Sequence, residues 1–366
     1  MPIAFVPFEP QHEEAVRRFN ERLVAGHAVT PFLPEAKAPQ GTNANMQPFL
    51  AVDHDAGQLE VRGSFLEVRY PALIAGAEGE VLNCQSPVSE GLVDQKYLLL
   101  PSQIFKVLLR KNPFVFVVGM GGLQNPLPRF LKAAGWSVEE VPFYYKVIRA
   151  SRFLQQMPQL QQPVWKKTAA QIGAFSGLGA LAFRVMHRNK SVPDLRRYSI
   201  AKAEWGPWAT ELWERFRMQI QFGVARDQAS VPLLYRSGRE IGPLVIQHDG
   251  VICGWSMALL TPMQNNVHFA NLRVATILDC IADDEHRVAA VTRTVEYLAQ
   301  AGADIVITNQ SHAPTQQAFL DAGFRPGPSN YLLAASPKLA AAIGGTPVKS
   351  GSIHLTRSDG DGPINL

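Results

Sequence analysis

Apolar and polar positions along the chain switch repeatedly between two periods, near two residues for strands and near three and a half for helices. HEEAVRRFNERLV (12–24) carries the helical spacing and leads to GSFLEVRYPALIAG (63–76), which alternates as a strand. The apolar run PFVFVVGMGG (113–122) predicts a buried strand, followed by a helix over PLPRFLKAAGW (126–136) and a strand over VPFYYKVIRA (141–150). Further on, WATELWERFRMQI (208–220) reads as a helix and PLVIQHDGVICGWSMAL (243–259) as a hairpin turning at Asp249-Gly250. A strand HFANLRVATILDCIA (268–282), a helix EHRVAAVTRTVEYLAQAG (285–302) and a buried strand ADIVITNQ (303–310) come next. Helix APTQQAFLDAGF (313–324) and strand NYLLAAS (330–336) end the series.

The two series close alike. Buried strand, Gly/Asn-rich loop, short helix, an Ala-Gly-aromatic stop and a Tyr-containing strand occur in that order at 113–147 and again at 303–334. The stops are Ala134-Gly135-Trp136 and Ala322-Gly323-Phe324. A glycine there suits a left-handed helix end, and the aromatic after it can pack back on the helix. The repeated order predicts one fold used twice; two unrelated βαβ units are the alternative. The expected units are residues 1–150, a connecting region 151–205, residues 206–340 and a tail 341–366. In the tail, Ile353, Leu355, Ile364 and Leu366 suit either a frayed end or a segment docked on a domain.

Composition sets the class. The chain has 366 residues, 46% apolar and 18% charged, enough for two or three cores and unlike a disordered chain. Three cysteines without close pairing exclude a disulfide scaffold. No secretory leader pattern and no spanning run of apolar residues are read, so a cytoplasmic location is expected. The net charge of +4 is uneven: residues 1–150 hold 14 basic and 15 acidic side chains, residues 151–205 hold 9 and 2, and residues 206–366 hold 12 and 14. Within the basic part, Lys166 and Lys167 precede the uncharged stretch 168–183, with Arg184, Arg188 and Lys190 after it. Ala169, Gly173 and Gly177 would give a helix there a small-residue stripe for packing against a domain. A helix lying on an anionic membrane through 163–190 is the other reading. No aromatic platform or reader motif accompanies the charge, so no nucleic-acid partner is expected.

The helix stops AFLDAGF (318–324) and FLKAAGW (130–136), with GLVDQKY (91–97), which is similar to the VDPxYRG lead-in to the family's cofactor loop, resemble the GNAT acyltransferase superfamily. The resemblance covers 120 to 150 residues of each half, so the chain resembles a tandem GNAT protein. It implies an α/β fold of two domains, each a mixed, mostly antiparallel sheet flanked by helices. It also implies acetyl-CoA or another acyl-CoA as co-substrate, held where the fourth and fifth strands part. The function implied is transfer of an acyl group to an amine or hydroxyl of a small-molecule or lipid-linked acceptor. A non-catalytic binding or scaffold protein, and a FemABX-like aminoacyl transferase, are the alternatives.

The donor segment would be Leu98, Leu99, Leu100 and Ser102. In place of the family's glycine-rich phosphate loop it has Pro101, which lacks an N–H donor. In the second half Asp283, Asp284 and Glu285 stand at the matching helix start, where they would repel a diphosphate. Leu131 and Phe319 occupy the positions where the family carries a proton-donating tyrosine; Tyr144, Tyr145, Tyr331 or a water could serve instead. Glu90 and Asp94 are candidates for the general base, or else cap a turn. The loop Gly119-Met120-Gly121-Gly122 could approach a ligand closely, or be a plain tight loop. Asn309 and His312 are candidates for acceptor binding, with an exposed loop histidine as the commoner role. No metal-binding spacing is present.

Overall fold

The computed structural model describes residues 3–28, 45–55, 58–156, 185–188, 193–235 and 239–360. The uncharged stretch 168–183 and its basic flanks at 166, 167, 184 and 190 lie outside these residues, as do Ile364 and Leu366. In the first series, β1 (Ala4–Pro7), α1 (Glu13–Ala25), β2 (Met46–Asp55), β3 (Gln58–Ile74) and β4 (Ala77–Ser89) precede α2 (Leu100–Lys111). Then follow β5 (Val115–Gly119), α3 (Pro126–Ala133), β6 (Ser137–Glu140), β7 (Phe143–Val147) and α4 (Ala150–Gln156). The second series has β8 (Tyr198–Lys202), α5 (Pro207–Arg217), β9 (Phe222–Val224), α6 (Val231–Leu234), β10 (Ile241–His248), β11 (Val251–Pro262) and β12 (Arg273–Ala282). It continues with α7 (Arg287–Gln300), β13 (Ile305–Asn309), α8 (Ala313–Asp321), β14 (Arg325–Gly327) and β15 (Leu332–Ala335). After these come α9 (Pro337–Ala342), α10 (Pro347–Ser350) and β16 (Ile353–His354).

The local signals act where they stand. Asp249 and Gly250 are both left-handed (φ 50° and 83°) and turn β10 into β11. Ala75 and Gly76 (φ 53° and 81°) do the same between β3 and β4, a hairpin inside which the first-series strand reading had stopped. Gly135 and Gly323 (φ 83° and 85°) end α3 and α8. The aromatic after each glycine turns back: Trp136 N–H donates to Leu131 O, Phe324 N–H donates to Phe319 O, and the Phe319 and Phe324 rings meet edge-on at 4.9 Å.

The two series make two mixed, mostly antiparallel sheets flanked by helices. One sheet runs β1-β2-β3-β4-β5-β15-β6, with β9 and β16 added along β3; the other runs β14-β7-β13-β12-β11-β10-β8. The apolar runs β5 and β13 are interior strands of separate sheets, as a duplicated fold requires. Their closing strands are exchanged. β7 pairs antiparallel with β13 (Ile305 opposite Val147), and β15 pairs with β5 and β6 (Leu333 opposite Val118 and Glu139). Each sheet is therefore completed by a strand from the other series. The sequence reading placed each closing strand with its own series; Pro142, which cannot donate to a ladder, stands where the chain leaves β6 for the other sheet.

The tail is docked. Ile353 and Leu355 are buried, β16 pairs parallel with β9, and Thr356 bridges to Gln310 at the end of β13. No helix of the described residues is long and apolar enough to cross a membrane.

Candidate functional site

In the first sheet, β4 and β5 are parallel and pair at only two positions, Leu82 with Val115 and Asn83 with Phe116. Beyond them the strands part towards their carboxyl ends, leaving β4 after the Cys84 N–H without a partner on that side. One extra residue in β4 sharpens the parting: Leu66 of β3 faces Gln85, yet Ser64 faces Val88. Ser86, within this bulge, is left-handed (φ 47°). Leu82 N–H points to β5 and donates to Phe114 O. In the parallel ladder the pair Asn83–Phe116 takes up the Leu82 carbonyl and the Cys84 N–H, so the first edge group left facing the opening is the Cys84 carbonyl. A carbonyl so placed can accept from an amide of an extended ligand.

Asn83 and Gln85 lie side by side on one face of β4 and are buried. Asn83 Nδ2 donates to Asp359 O at 2.6 Å, while Asn83 Oδ1 and Gln85 Nε2 have no protein partner. An unpaired buried amide costs about 1–3 kcal/mol, so this acceptor and donor mark a place for a polar ligand. Gly360 sits beside Val118 of β5 and Tyr331, so the tail floors this face of the opening. Neither amide was singled out in the sequence, because polar residues at alternate strand positions read as solvent-facing.

The matching opening in the second sheet is filled by the chain itself. β12 and β13 pair only from Val274 with Ile305 to Thr276 with Ile307. Beyond that, Asp279 of β12 accepts from Arg226 Nε (3.0 Å), from Tyr235 Oη (3.0 Å) and from His354 Nε2 (2.9 Å). Arg226 Nη2 lies 2.8 Å from both carboxylate oxygens of Asp359. Arg226, Asp279, His354 and Asp359 are all fully buried. Burial alone would raise the Asp279 carboxyl, but Arg226 and then His354 hold it well below the usual range. Burial opposes the Arg226 charge, yet the two carboxylates keep it charged. Burial and Asp279 push the Tyr235 phenol up, so it stays a donor. The network locks the tail between the two sheets.

The expected site residues divide into separate places. Glu90 is buried and held by Arg22 Nε (2.7 Å) and Arg62 Nη1 (3.0 Å), tying α1 to β3. Asp94 is exposed, and its carboxylate caps the turn after it through Lys96 N–H (2.9 Å). Both carboxylates thus take the capping and tying roles. Leu98 and Leu99 are exposed at the start of α2, whereas Leu100 is buried against the sheet. The Ser102 N–H and hydroxyl both donate to Leu99 O (3.1 and 2.7 Å). With Pro101 beside it, this helix start offers fewer free donors than a diphosphate cradle needs. The diphosphate of an acyl-CoA would find no glycine-rich loop here.

Gly119, Met120, Gly121 and Gly122 all have positive φ and form the opposite lip, tied by Asn125 Nδ2 to Met120 O at 2.8 Å. Asn309 is buried, donates to Val141 O (3.0 Å) and accepts from Arg357 Nε (2.8 Å). Arg357 in turn lies over the Tyr331 ring, so Asn309 connects to the floor of the first opening. His312 is buried, not exposed: its Nδ1 meets Thr315 Oγ1 at 2.9 Å and its ring packs edge-on to Phe216. Burial, reinforced by His354 and Arg287, lowers its pKa to about 3.

No family model matches the sequence, and no curated protein does either. Among solved structures, the fold is shared with a conserved protein of Enterococcus faecalis described as a probable N-acyltransferase. The match has a TM-score of 0.52 at 8% identity and covers 93% of this chain and 74% of that one. N-myristoyltransferase of Saccharomyces cerevisiae with bound myristoyl-CoA aligns with a TM-score of 0.48 and 10% identity, over 92% of this chain and 79% of that one. The likeness is one of fold, two mixed sheets flanked by helices.

Proposed function

We propose that the first half is an acyl-transfer site, taking an acyl group from a pantetheine thioester such as acyl-CoA and passing it to an amine or hydroxyl. The observation that carries this reading is the opening between β4 and β5, lined by unpaired strand edge and by two buried polar atoms without a protein partner, Asn83 Oδ1 and Gln85 Nε2. Similarity of fold to a probable N-acyltransferase supports it. When bound, the thioester supplies an activated carbonyl. The free Cys84 carbonyl on the β4 edge accepts from an amide of the arm and holds it extended. Asn83 Oδ1 accepts a hydrogen bond from the incoming amine or hydroxyl, and Gln85 Nε2 donates to the same acceptor molecule. Glu90 contributes by position: with Arg22 and Arg62 it fixes the turn between β4 and α2. The second half, its own opening closed, serves as the wall on the acceptor side.

Calorimetry with acetyl-CoA, octanoyl-CoA and octanoyl-pantetheine tests the donor, and an amine panel with thiol-release detection tests the transfer. Binding of at least one thioester is expected. Asn83→Leu keeps the branched shape and removes the free acceptor atom together with the bond to Asp359 O; the acceptor KM is expected to rise about tenfold with the donor KM unchanged. Absence of binding to every thioester at millimolar concentration contradicts the reading and favours a scaffold.

A further inference from the structure

The surface around the mouth of the first opening has two properties that its neighbourhood makes informative. Ten large apolar side chains are exposed among the described residues, and five of them lie at this end: Val24, Leu92, Leu98, Leu99 and Leu123. Four belong to one ridge. The end of α1 abuts Val93, whose Cγ1 would be 2.3 Å from a Cβ on Gly26, and Gly91 backs onto Leu98, with Leu98 Cα 3.0 Å from its own added Cβ. Leu98 and Leu99 are 65% and 72% exposed. A ridge of this kind at the rim of a site marks a docking surface.

The second property is charge. From residue 95 to residue 138 the sequence holds six Lys and Arg and no Asp or Glu. This stretch includes α2 and α3, which pack side by side on one face of the first sheet through Phe105 and Phe130. Lys106, Arg110, Arg129 and Lys132 face solvent from these helices. No carboxylate of the described residues pairs with them. The outer face next to the leucine ridge is therefore uniformly basic.

These features adjoin a helix start that is short of phosphate donors. Free CoA would set its diphosphate against Leu98 and Leu99 and find Pro101 and an already committed Ser102. A single phosphodiester needs fewer donors. The same pantetheine arm joined by one phosphodiester to a protein would enter the opening while that protein covered the leucines. We propose that the acyl donor is delivered on the phosphopantetheine arm of an acidic carrier protein, which docks on Leu92, Leu98 and Leu99 and on the basic face of α2 and α3. This rests on the donor reading of the first opening and names its donor class. A nucleic acid would call for aromatic stacking groups where the rim presents leucines. An anionic bilayer would match the leucines and the charge, but gives no role to the strand opening they surround.

The chemistry balances without a further reactant. The acceptor amine attacks the thioester carbonyl, a C–N bond forms, and the C–S bond breaks. The electron pair leaves with sulfur, and the amine proton ends on it. The products are the amide and the carrier's free thiol.

The test compares three donors with the full chain: octanoyl-loaded bacterial acyl carrier protein by fluorescence anisotropy, and octanoyl-CoA and octanoyl-pantetheine by calorimetry. The carrier is expected to bind at least about tenfold tighter than octanoyl-CoA, with affinity falling as salt rises. Lys106→Glu with Arg129→Glu is expected to weaken the carrier about tenfold or more and to leave octanoyl-pantetheine unchanged. Leu92→Glu is expected to weaken the carrier as well. Octanoyl-CoA binding as tightly as the carrier, with pantetheine also bound, overturns the carrier but keeps the donor site. Flotation on phosphatidylglycerol vesicles that the same variants abolish, without carrier binding, overturns it in favour of a membrane surface. Failure of all three donors overturns the donor reading itself.

Discussion

A single buried cluster explains why the second opening is closed. Arg226 is matched by two carboxylates, Asp279 and Asp359, and Asp279 is matched again by His354 and Tyr235. Removing one charge leaves the others buried without compensation. Asp279→Asn is therefore expected to cost about 3–5 kcal/mol in urea unfolding. His312 offers a pH readout from the same region. Its folded pKa of about 3 lies below the unfolded value near 6.5. Between those values the unfolded chain binds more protons, so stability contributed by a neutral His312 is present above pH 6.5 and lost as pH falls towards 3. The loss is expected to reach about 3 kcal/mol at pH 4, and His312→Asn should flatten that part of the stability profile. Little of this cluster was legible in the sequence. Residues 226, 279, 354 and 359 are far apart in the chain, and an isolated charge reads as surface by default. Glu90 was visible as a candidate, but its partners on α1 and β3 assign it to structure.

At the level of elements, periodicity and stop signals located most strands and helices because those signals are local. The Asp249-Gly250 turn and the two Ala-Gly-aromatic stops act through the backbone conformation of one or two residues. The exchange of β7 and β15 was not legible, since a short apolar strand fits either sheet and its partner is chosen by the path of the chain after Pro142. The exchange has a consequence for cooperativity. β5 depends on β15 and β13 depends on β7, so neither sheet can lose its closing strand without opening the other. Hydrogen exchange is expected to report one shared opening free energy for the amides of β5 and β13. Ala334→Pro in β15 should lower both together, although Ala334 touches only the first sheet. Loss of protection in β5 with β13 untouched would contradict the coupling.

Across the whole molecule, the two sheets differ in what fills the parting of their parallel strands. The tail runs between them, closes the second opening with Arg226 and the carboxylates around it, and brings Gly360 to the floor of the first. The first opening keeps an unpaired strand edge, an unpartnered acceptor on Asn83, an unpartnered donor on Gln85 and a mouth rimmed by leucines. The account stands on this asymmetry, and a ligand footprint tests it without a mutation. Hydrogen exchange is measured with and without saturating octanoyl-pantetheine. Added protection is expected over residues 84–102 and 117–122, and no change over 277–286 and 308–312. Protection over 277–286 and 308–312 in place of the first set would contradict the assignment of the site to the first half.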